Sequence, residues 1–101
     1  MEPYLKHIIN EIDYCIKKQR HNDAFDFPID YPEVEGNVKP ILSAYDKKHG
    51  LIFILEIKAD AIPPIFVSIM YGDGGVIIKR SKPTKNFEDL KIETSEGWIN
   101  L

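Results

Sequence analysis

The chain is 101 residues long, with 13 Lys and Arg against 16 Asp and Glu, which gives a net charge of −3. A chain of this length forms one domain, since independent cores usually take about 50–200 residues. Weak acidity argues against a general nucleic-acid-binding domain, because such domains are strongly basic. The single cysteine, Cys15, excludes an internal disulfide. No apolar run approaches the roughly 20 residues that span a membrane. We therefore expect 1–101 to form one cytoplasmic domain without membrane contact.

Residues 3–20 are predicted to form a helix. Pro3 suits the first helical turn, where a missing N–H costs nothing. Basic residues at the far end complement the helix dipole, and Asn22 would end the helix. The apolar side chains recur at three- and four-residue spacing and form one stripe: Leu5, Ile8, Ile9, Ile12 and Ile16.

The segment 23–37 is acidic and aromatic. It carries five carboxylates and no Lys or Arg. Between Phe25 and Tyr31, aromatic and apolar residues alternate with Asp and Pro, and this period of two predicts a strand with an aromatic inner face and an acidic outer face. Pro28 cannot donate to a ladder, so the strand is placed at a sheet edge.

The remaining sequence predicts an antiparallel sheet. Apolar runs bounded by turn residues predict strands at 38–45, 51–58, 65–71 and 76–80, a helical turn at 87–90 and a last short strand at 91–94. Loops 46–50 and 72–75 have hairpin length, and the second supplies glycines for positive φ. The expected fold class is α+β, with the N-terminal helix packed on a meander of four or five antiparallel strands.

The two central strands are apolar on both faces, as in 51–55 and 65–70. A half-exposed antiparallel sheet would alternate more cleanly. One helix covers one face, so the second face is covered by the C-terminal segment or, failing that, is left for a partner or a homodimer. The C-terminal residues expected to cover it are Phe87, Leu90, Ile92, Trp98, Ile99 and Leu101.

Glu56 and Lys58 form the most enzyme-like pattern. A Glu-x-Lys string after an upstream acid is typical of restriction-endonuclease-like nucleases, in which carboxylates hold Mg²⁺ and the lysine assists the attacking water. The upstream acid would be Asp46, but a regular hairpin places Glu56 opposite Pro40 and leaves Asp46 about 17 Å away. Two ligands of one Mg²⁺ must both lie about 2.1 Å from it. A solvated ion pair at a strand end is the simpler interpretation.

No other residues suggest chemistry. His7, His21 and His49 lack metal-ligand spacing, and Cys15 fits the edge of a helical core stripe. We predict no catalytic residues, no metal and no cofactor, and the Mg²⁺-dependent nuclease is kept as an alternative function.

The acidic segment is the main candidate for a binding surface. Acidic groups around aromatic anchors suit a basic cleft, because charge speeds association and aromatic side chains supply binding energy. The predicted partner is a protein, namely an enzyme or toxin with a basic cleft, and not nucleic acid itself. Edge protection against aggregation is a second interpretation that stays open. The predicted partner-binding residues are Asp23, Phe25, Asp26, Phe27, Asp30, Tyr31, Glu33, Glu35 and Tyr45.

Several strings between Asp26 and Lys79 also point to a family: 29–35 (IDYPEVE), 36–37 (GN), 39–40 (KP), 43–46 (SAYD) and 60–79. They resemble the phage uracil-DNA glycosylase inhibitor family, small helix-plus-sheet proteins that mimic DNA with an acidic edge strand. The resemblance implies that Asp26 takes the place of the family's main edge-strand carboxylate and that Glu33 and Glu35 belong to its acidic stretch. The chain differs in lacking a full second helix and in having Pro28 in the edge strand.

The expected function is therefore that of a small non-enzymatic inhibitor of the immunity type, which binds and neutralises an enzyme or toxin. The nuclease and a homo-oligomeric structural module, which would pair through an uncovered sheet face, are the alternatives.

Overall fold

The computed structural model describes residues 2–20, 25–46, 50–60, 62–94 and 97–100, with the backbone alone at residues 44–46, 73, 89, 91–94 and 97–100. Helix α1 (Pro3–Lys17) packs on an antiparallel sheet of five strands in sequential order, followed by a separate two-stranded ribbon. This confirms the predicted α+β meander. The strands are β1 (Phe27–Pro28), β2 (Gly36–Asp46), β3 (Gly50–Ala59), β4 (Ile65–Tyr71) and β5 (Ile77–Arg80), and the ribbon is β6 (Lys91–Thr94) with β7 (Gly97–Asn100).

The helix buries one face against the sheet. Its buried residues are Tyr4, Ile8, Ile9, Ile12 and Cys15, while Leu5 and Ile16 of the predicted stripe lie at its partly buried flanks. They share one core with alternate residues of the central strands, among them Leu55, Ile57, Val67 and Ile69. The core therefore lies between α1 and one face of the sheet.

The helix ends earlier than the predicted residue 20, because the chain reverses at Gln19. This residue has a left-handed φ of 53°. Its N–H donates to the Ile16 carbonyl at 3.1 Å, and the Arg20 N–H donates to the Cys15 carbonyl at 3.0 Å. These two bonds satisfy carbonyls that the end of a helix leaves open.

Gln19 also joins the helix end to β5. Its side-chain amide accepts from the Ile77 N–H at 2.7 Å and donates to the Ile77 carbonyl at 2.9 Å. Arg80 adds a second link, with two hydrogen bonds to Asp13 at 2.5 and 3.1 Å. The half-exposed Asp13 limits this ion pair to about 1 kcal/mol or less. The two part-buried hydrogen bonds of Gln19 are therefore the more important connection between α1 and β5.

The second face of the sheet is contacted by the chain that follows β5. Residues 81–84 first extend the pairing along the edge of β4: the Ser81 N–H donates to the Ser68 carbonyl at 2.9 Å, and Thr84 and Phe66 exchange two backbone hydrogen bonds at 2.8 and 3.0 Å. The Phe87 ring then meets the Phe66 ring edge to face, with centroids 5.4 Å apart. Leu90 is 1% exposed, and the second-face residues Ile52, Ile54 and Met70 are buried as well.

These contacts agree with the expected covering by the C-terminal segment. The predicted helical turn is a 3-10 turn at Phe87–Asp89, and β6 lies against β4. The side chains of Ile92, Trp98 and Ile99, together with Leu101, lie outside the described residues. Within the described residues, no helix is long and apolar enough to cross a membrane.

The predicted strand from Phe25 to Tyr31 is largely wrong as a ladder, since β1 covers only two residues. The predicted alternation of buried and exposed residues is nevertheless present. Phe25 and Ile29 are buried, whereas the even-numbered residues from Asp26 to Asp30 are exposed. Pro28 does not end the pairing, since the Ile29 N–H still donates to the Gly36 carbonyl at 3.0 Å. The N–H that Pro28 lacks would face away from β2, as an edge strand allows, and the ladder stops because the chain turns back between Tyr31 and Val34. The alternation of buried and exposed side chains in this segment therefore reflects which side chains contact the core, and it does not indicate a long paired strand.

Gly36 begins β2 because β3 passes too close for a side chain. A Cβ at residue 36 would overlap the Lys58 carbonyl oxygen. The close approach lets the Asp60 N–H donate to the Glu35 carbonyl at 2.9 Å. The end of the acidic segment is therefore fixed to β3.

Replacing Gln19 tests the link between α1 and β5. Gln19→Ala removes both bonds and leaves the Ile77 backbone groups without these partners, so we expect the free energy of unfolding to fall by about 1–3 kcal/mol in urea denaturation. Lys17→Ala, on the exposed side of the same helix end, should change it by no more than about 0.5 kcal/mol. Equal losses in the two variants would contradict the proposed role of the amide.

Candidate functional site

Four carboxylates of the acidic segment are exposed along one edge of the molecule. The structure places them before, within and after the turn that follows β1, and none forms an ion pair with another described residue. We call these residues the acidic face: Asp26, Asp30, Glu33 and Glu35. Asp23, the fifth acidic residue, lies outside the described residues.

The aromatic residues hold this segment to the core instead of projecting from it. Phe25 is 2% exposed and belongs to the core cluster, so it offers no surface to a partner. Phe27 and Tyr31 are half-buried and pack on the same cluster. The Tyr31 ring also meets the His7 ring of α1, with centroids 5.7 Å apart. The expectation that Phe25 acts as a binding anchor is therefore wrong, because its side chain is used for folding.

Tyr45 does not lie beside the acidic segment. β1 pairs with β2 at Asn37 and Val38, whereas Tyr45 pairs with Leu51 near the hairpin end. Tyr45 lies seven residues beyond Val38, a separation of about 23 Å along the strand at roughly 3.3 Å per residue. The side chain of Tyr45 is outside the described residues, but the backbone position alone separates it from the acidic face.

Glu33 lies in a conformation that an L-residue rarely adopts. Its φ is 65°, and the Val34 N–H donates to the Tyr31 carbonyl at 3.2 Å. Pro32 fixes the preceding φ near about −65°. This combination defines a type II turn, which favours glycine at the position that Glu33 occupies. A left-handed conformation costs an L-residue about 1–2 kcal/mol, so the charged side chain is kept at a cost in stability.

The structure does not bring Asp46, the expected second metal ligand, close to Glu56 and Lys58. A bulge between Pro40 and Leu42 shifts the register, so that Glu56 lies opposite Lys39 and not opposite Pro40 as a regular hairpin would have it. Asp46 pairs with Gly50, about 20 Å along β3 from Glu56. Across the described part of the chain, no group of three or more His, Cys, Asp or Glu residues is placed to hold a metal ion.

A cleft of about 400 Å³ opens between α1 and the segment around β1. Its floor is formed by core residues, among them Ile8 and Cys15, and burial raises the pKa of the Cys15 thiol. A raised pKa keeps this thiol protonated at neutral pH, which argues against a nucleophile. The lining residues are His7, Ile8, Glu11, Tyr14, Cys15, Arg20, Phe27, Pro28, Ile29 and Asp30.

Sequence reasoning did not identify the helical wall of this cleft. His7, Glu11 and Tyr14 follow the i, i+4, i+7 spacing that puts residues on one helical face, next to the buried stripe. That spacing was visible in the sequence, but the opposite wall comes from Phe27 and Asp30, and their approach to the helix depends on the tertiary fold.

In comparisons with known proteins, no family model, no curated protein and no solved structure matches the chain. The site is therefore interpreted from its own residues.

Glycine substitution tests the strain at Glu33. We expect Glu33→Gly to raise the free energy of unfolding by about 0.5–1 kcal/mol, because relief of the left-handed conformation exceeds the extra flexibility of the unfolded chain. Glu35→Gly is the matched control, since Glu35 has a negative φ and the same change should lower stability by about 0.5–1 kcal/mol. Urea denaturation measures both, and destabilisation by Glu33→Gly would contradict the assignment.

Proposed function

We propose that this protein is a non-enzymatic inhibitor of the immunity type, which binds a partner enzyme or toxin through the acidic face and so neutralises it. The observation that carries the proposal is the acidic face itself: four exposed carboxylates that form no ion pair with another described residue, one of which, Glu33, is held at a position that favours glycine. Backbone strain kept at an exposed charged residue favours a functional role over edge protection alone.

The charges suit a partner with a basic cleft. The four carboxylates together give this surface a negative electrostatic potential, which attracts a positively charged partner before the two proteins touch. Screening limits this attraction to about 8 Å at physiological ionic strength, so the steering charges must lie at or beside the contact. An enzyme that acts on nucleic acid offers such a cleft, and inhibition follows when the acidic face occupies it.

The family resemblance supports the same role. In the glycosylase inhibitor family, an acidic edge strand takes the place of DNA. The string 29–35, which contains Glu33 and Glu35, resembles that family, and the resemblance implies that Asp26 takes the place of its main edge-strand carboxylate. The core position of Phe25 shifts the proposed contact toward the carboxylates and the exposed parts of Phe27 and Tyr31.

Charge neutralisation tests the proposal. The partner is first captured from the native host on the immobilised protein and identified by mass spectrometry, and its affinity is then measured with purified variants. The pair Asp30→Asn with Glu33→Gln should weaken binding at least about tenfold, with a smaller loss at high salt. The charge-matched pair Glu2→Gln with Glu88→Gln should stay within about twofold.

The contradicting result is equally direct. If all four residues of the acidic face can be neutralised without weakening capture, the acidic face is not the binding surface.

Self-association is the second candidate function, and one observation favours it. Leu42 pairs with Ile54 on the second face of the sheet and is 52% exposed, and the neighbouring Ile41 is 41% exposed. Only Asn37 and Val38 of β2 are paired with β1, so this part of β2 forms a sheet edge among the described strands. Exposed apolar residues on an unpaired edge favour pairing with a second copy.

Sedimentation velocity over a concentration series separates the two functions. Self-association through β2 predicts a dimer that Leu42→Lys abolishes, because a charge on the edge opposes pairing. A monomer at all concentrations would rule out self-association and leave the inhibitor proposal in place.

A further inference from the structure

We propose that the cleft between α1 and β1 binds an arginine side chain of the partner, an inference that rests on the proposed function and assigns it a specific contact. The cleft adjoins the acidic face and shares Asp30 with it. Its volume of about 400 Å³ falls within the range of about 300–1,000 Å³ that is typical of ligand sites.

The cleft is apolar at its floor and polar at its rim. Ile8, Cys15 and Ile29 are buried, whereas Glu11 and Asp30 are exposed. An arginine side chain has the same division, with an apolar stem and a charged head. The stem can lie on the floor while the head remains at the rim.

The two carboxylates come from opposite walls. Glu11 belongs to α1, and Asp30 follows β1. A guanidinium presents five N–H donors in a planar fork, so it can bond carboxylates on two sides at once, which an ammonium does less well. Tyr14, which is 50% exposed, and Phe27 add aromatic surfaces on which a guanidinium stacks.

The charge of the lining favours a cation over an anion. Glu11 and Asp30 contribute two negative charges, and Arg20 contributes one positive charge. Arg20 lies at the Cys15 end of the cleft, since its N–H donates to the Cys15 carbonyl at 3.0 Å, and Glu11 lies one turn before Cys15, about 6 Å along the helix axis at about 1.5 Å per residue. The partner guanidinium is therefore assigned to Glu11 and Asp30, and the exposed Asp26 and Glu33, which flank the lining segment 27–30 in the sequence, add to the negative potential of this side of the molecule.

Nuclear magnetic resonance titration of the full chain tests the inference. The probe is N-acetyl-arginine N-methylamide, and N-acetyl-citrulline N-methylamide is the neutral control of nearly the same shape. We expect the arginine probe to shift amide signals of residues 7–15 and 27–30, with a dissociation constant on the order of 1 mM. The citrulline probe should bind at least about tenfold more weakly.

Variants assign the contact. Glu11→Gln and Asp30→Asn should each weaken the arginine probe about three- to tenfold, because each removes a charge-assisted bond. Glu88→Gln removes an exposed carboxylate outside the cleft and should leave the affinity unchanged. Equal binding of both probes, shifts outside these residues, or no shift up to about 20 mM would overturn the inference.

Partner capture distinguishes this inference from the proposed function. Glu11 is not part of the acidic face, so Glu11→Gln should weaken capture about three- to tenfold if the cleft holds a partner arginine. If Glu11→Gln leaves capture intact while neutralisation of the acidic face abolishes it, the cleft inference fails and the proposed function remains. If neutralisation of the acidic face has no effect, the proposed function fails first.

Discussion

Two central strands that are apolar on both faces set the main constraint on this fold. β3 and β4 bury Leu55 and Val67 toward α1, and Ile54 and Met70 on the opposite side. Each fully buried side chain of this size contributes about 1.5–3 kcal/mol, so neither face can be left to water without a large loss. The helix before the sheet and the segment after it are both needed to cover these strands.

That constraint leaves the β1 side of the molecule for recognition. Phe25 and Ile29 anchor the acidic segment to the core, and the carboxylates between and after them are thereby directed to the surface. The turn at Glu33 and the bond from Asp60 to the Glu35 carbonyl then fix the far end of the segment. A rigid arrangement of this kind reduces the entropy lost on binding, which makes exposed charges more useful for recognition.

The sequence predicted most of the fold because its strands are bounded by strong local signals. β4 was predicted at its observed limits, between a pair of prolines and Gly72. β1 was predicted too long, since alternation from Phe25 to Tyr31 reflects core contacts and the chain turns back between Tyr31 and Val34. The bulge at Ile41 has no clear local signal, and it moved Glu56 from Pro40 to Lys39.

The site was less predictable than the fold. The carboxylates of the acidic face were found from charge alone, and their binding role stays a prediction. The cleft was missed because its walls, such as Glu11 and Asp30, are far apart in sequence and meet only when α1 packs beside β1. The strain at Glu33 was also missed, since a Pro-Glu pair is compatible with more than one turn type.

Amide hydrogen exchange of the free protein and of its complex with the captured partner tests the central claim most directly, because it maps the contact without substitutions. The account predicts added protection at residues 26–35 and at residues 7–15 of α1, with little change along the open edge of β2. Protection confined to residues 39–46, or to the second face of β4, would contradict it.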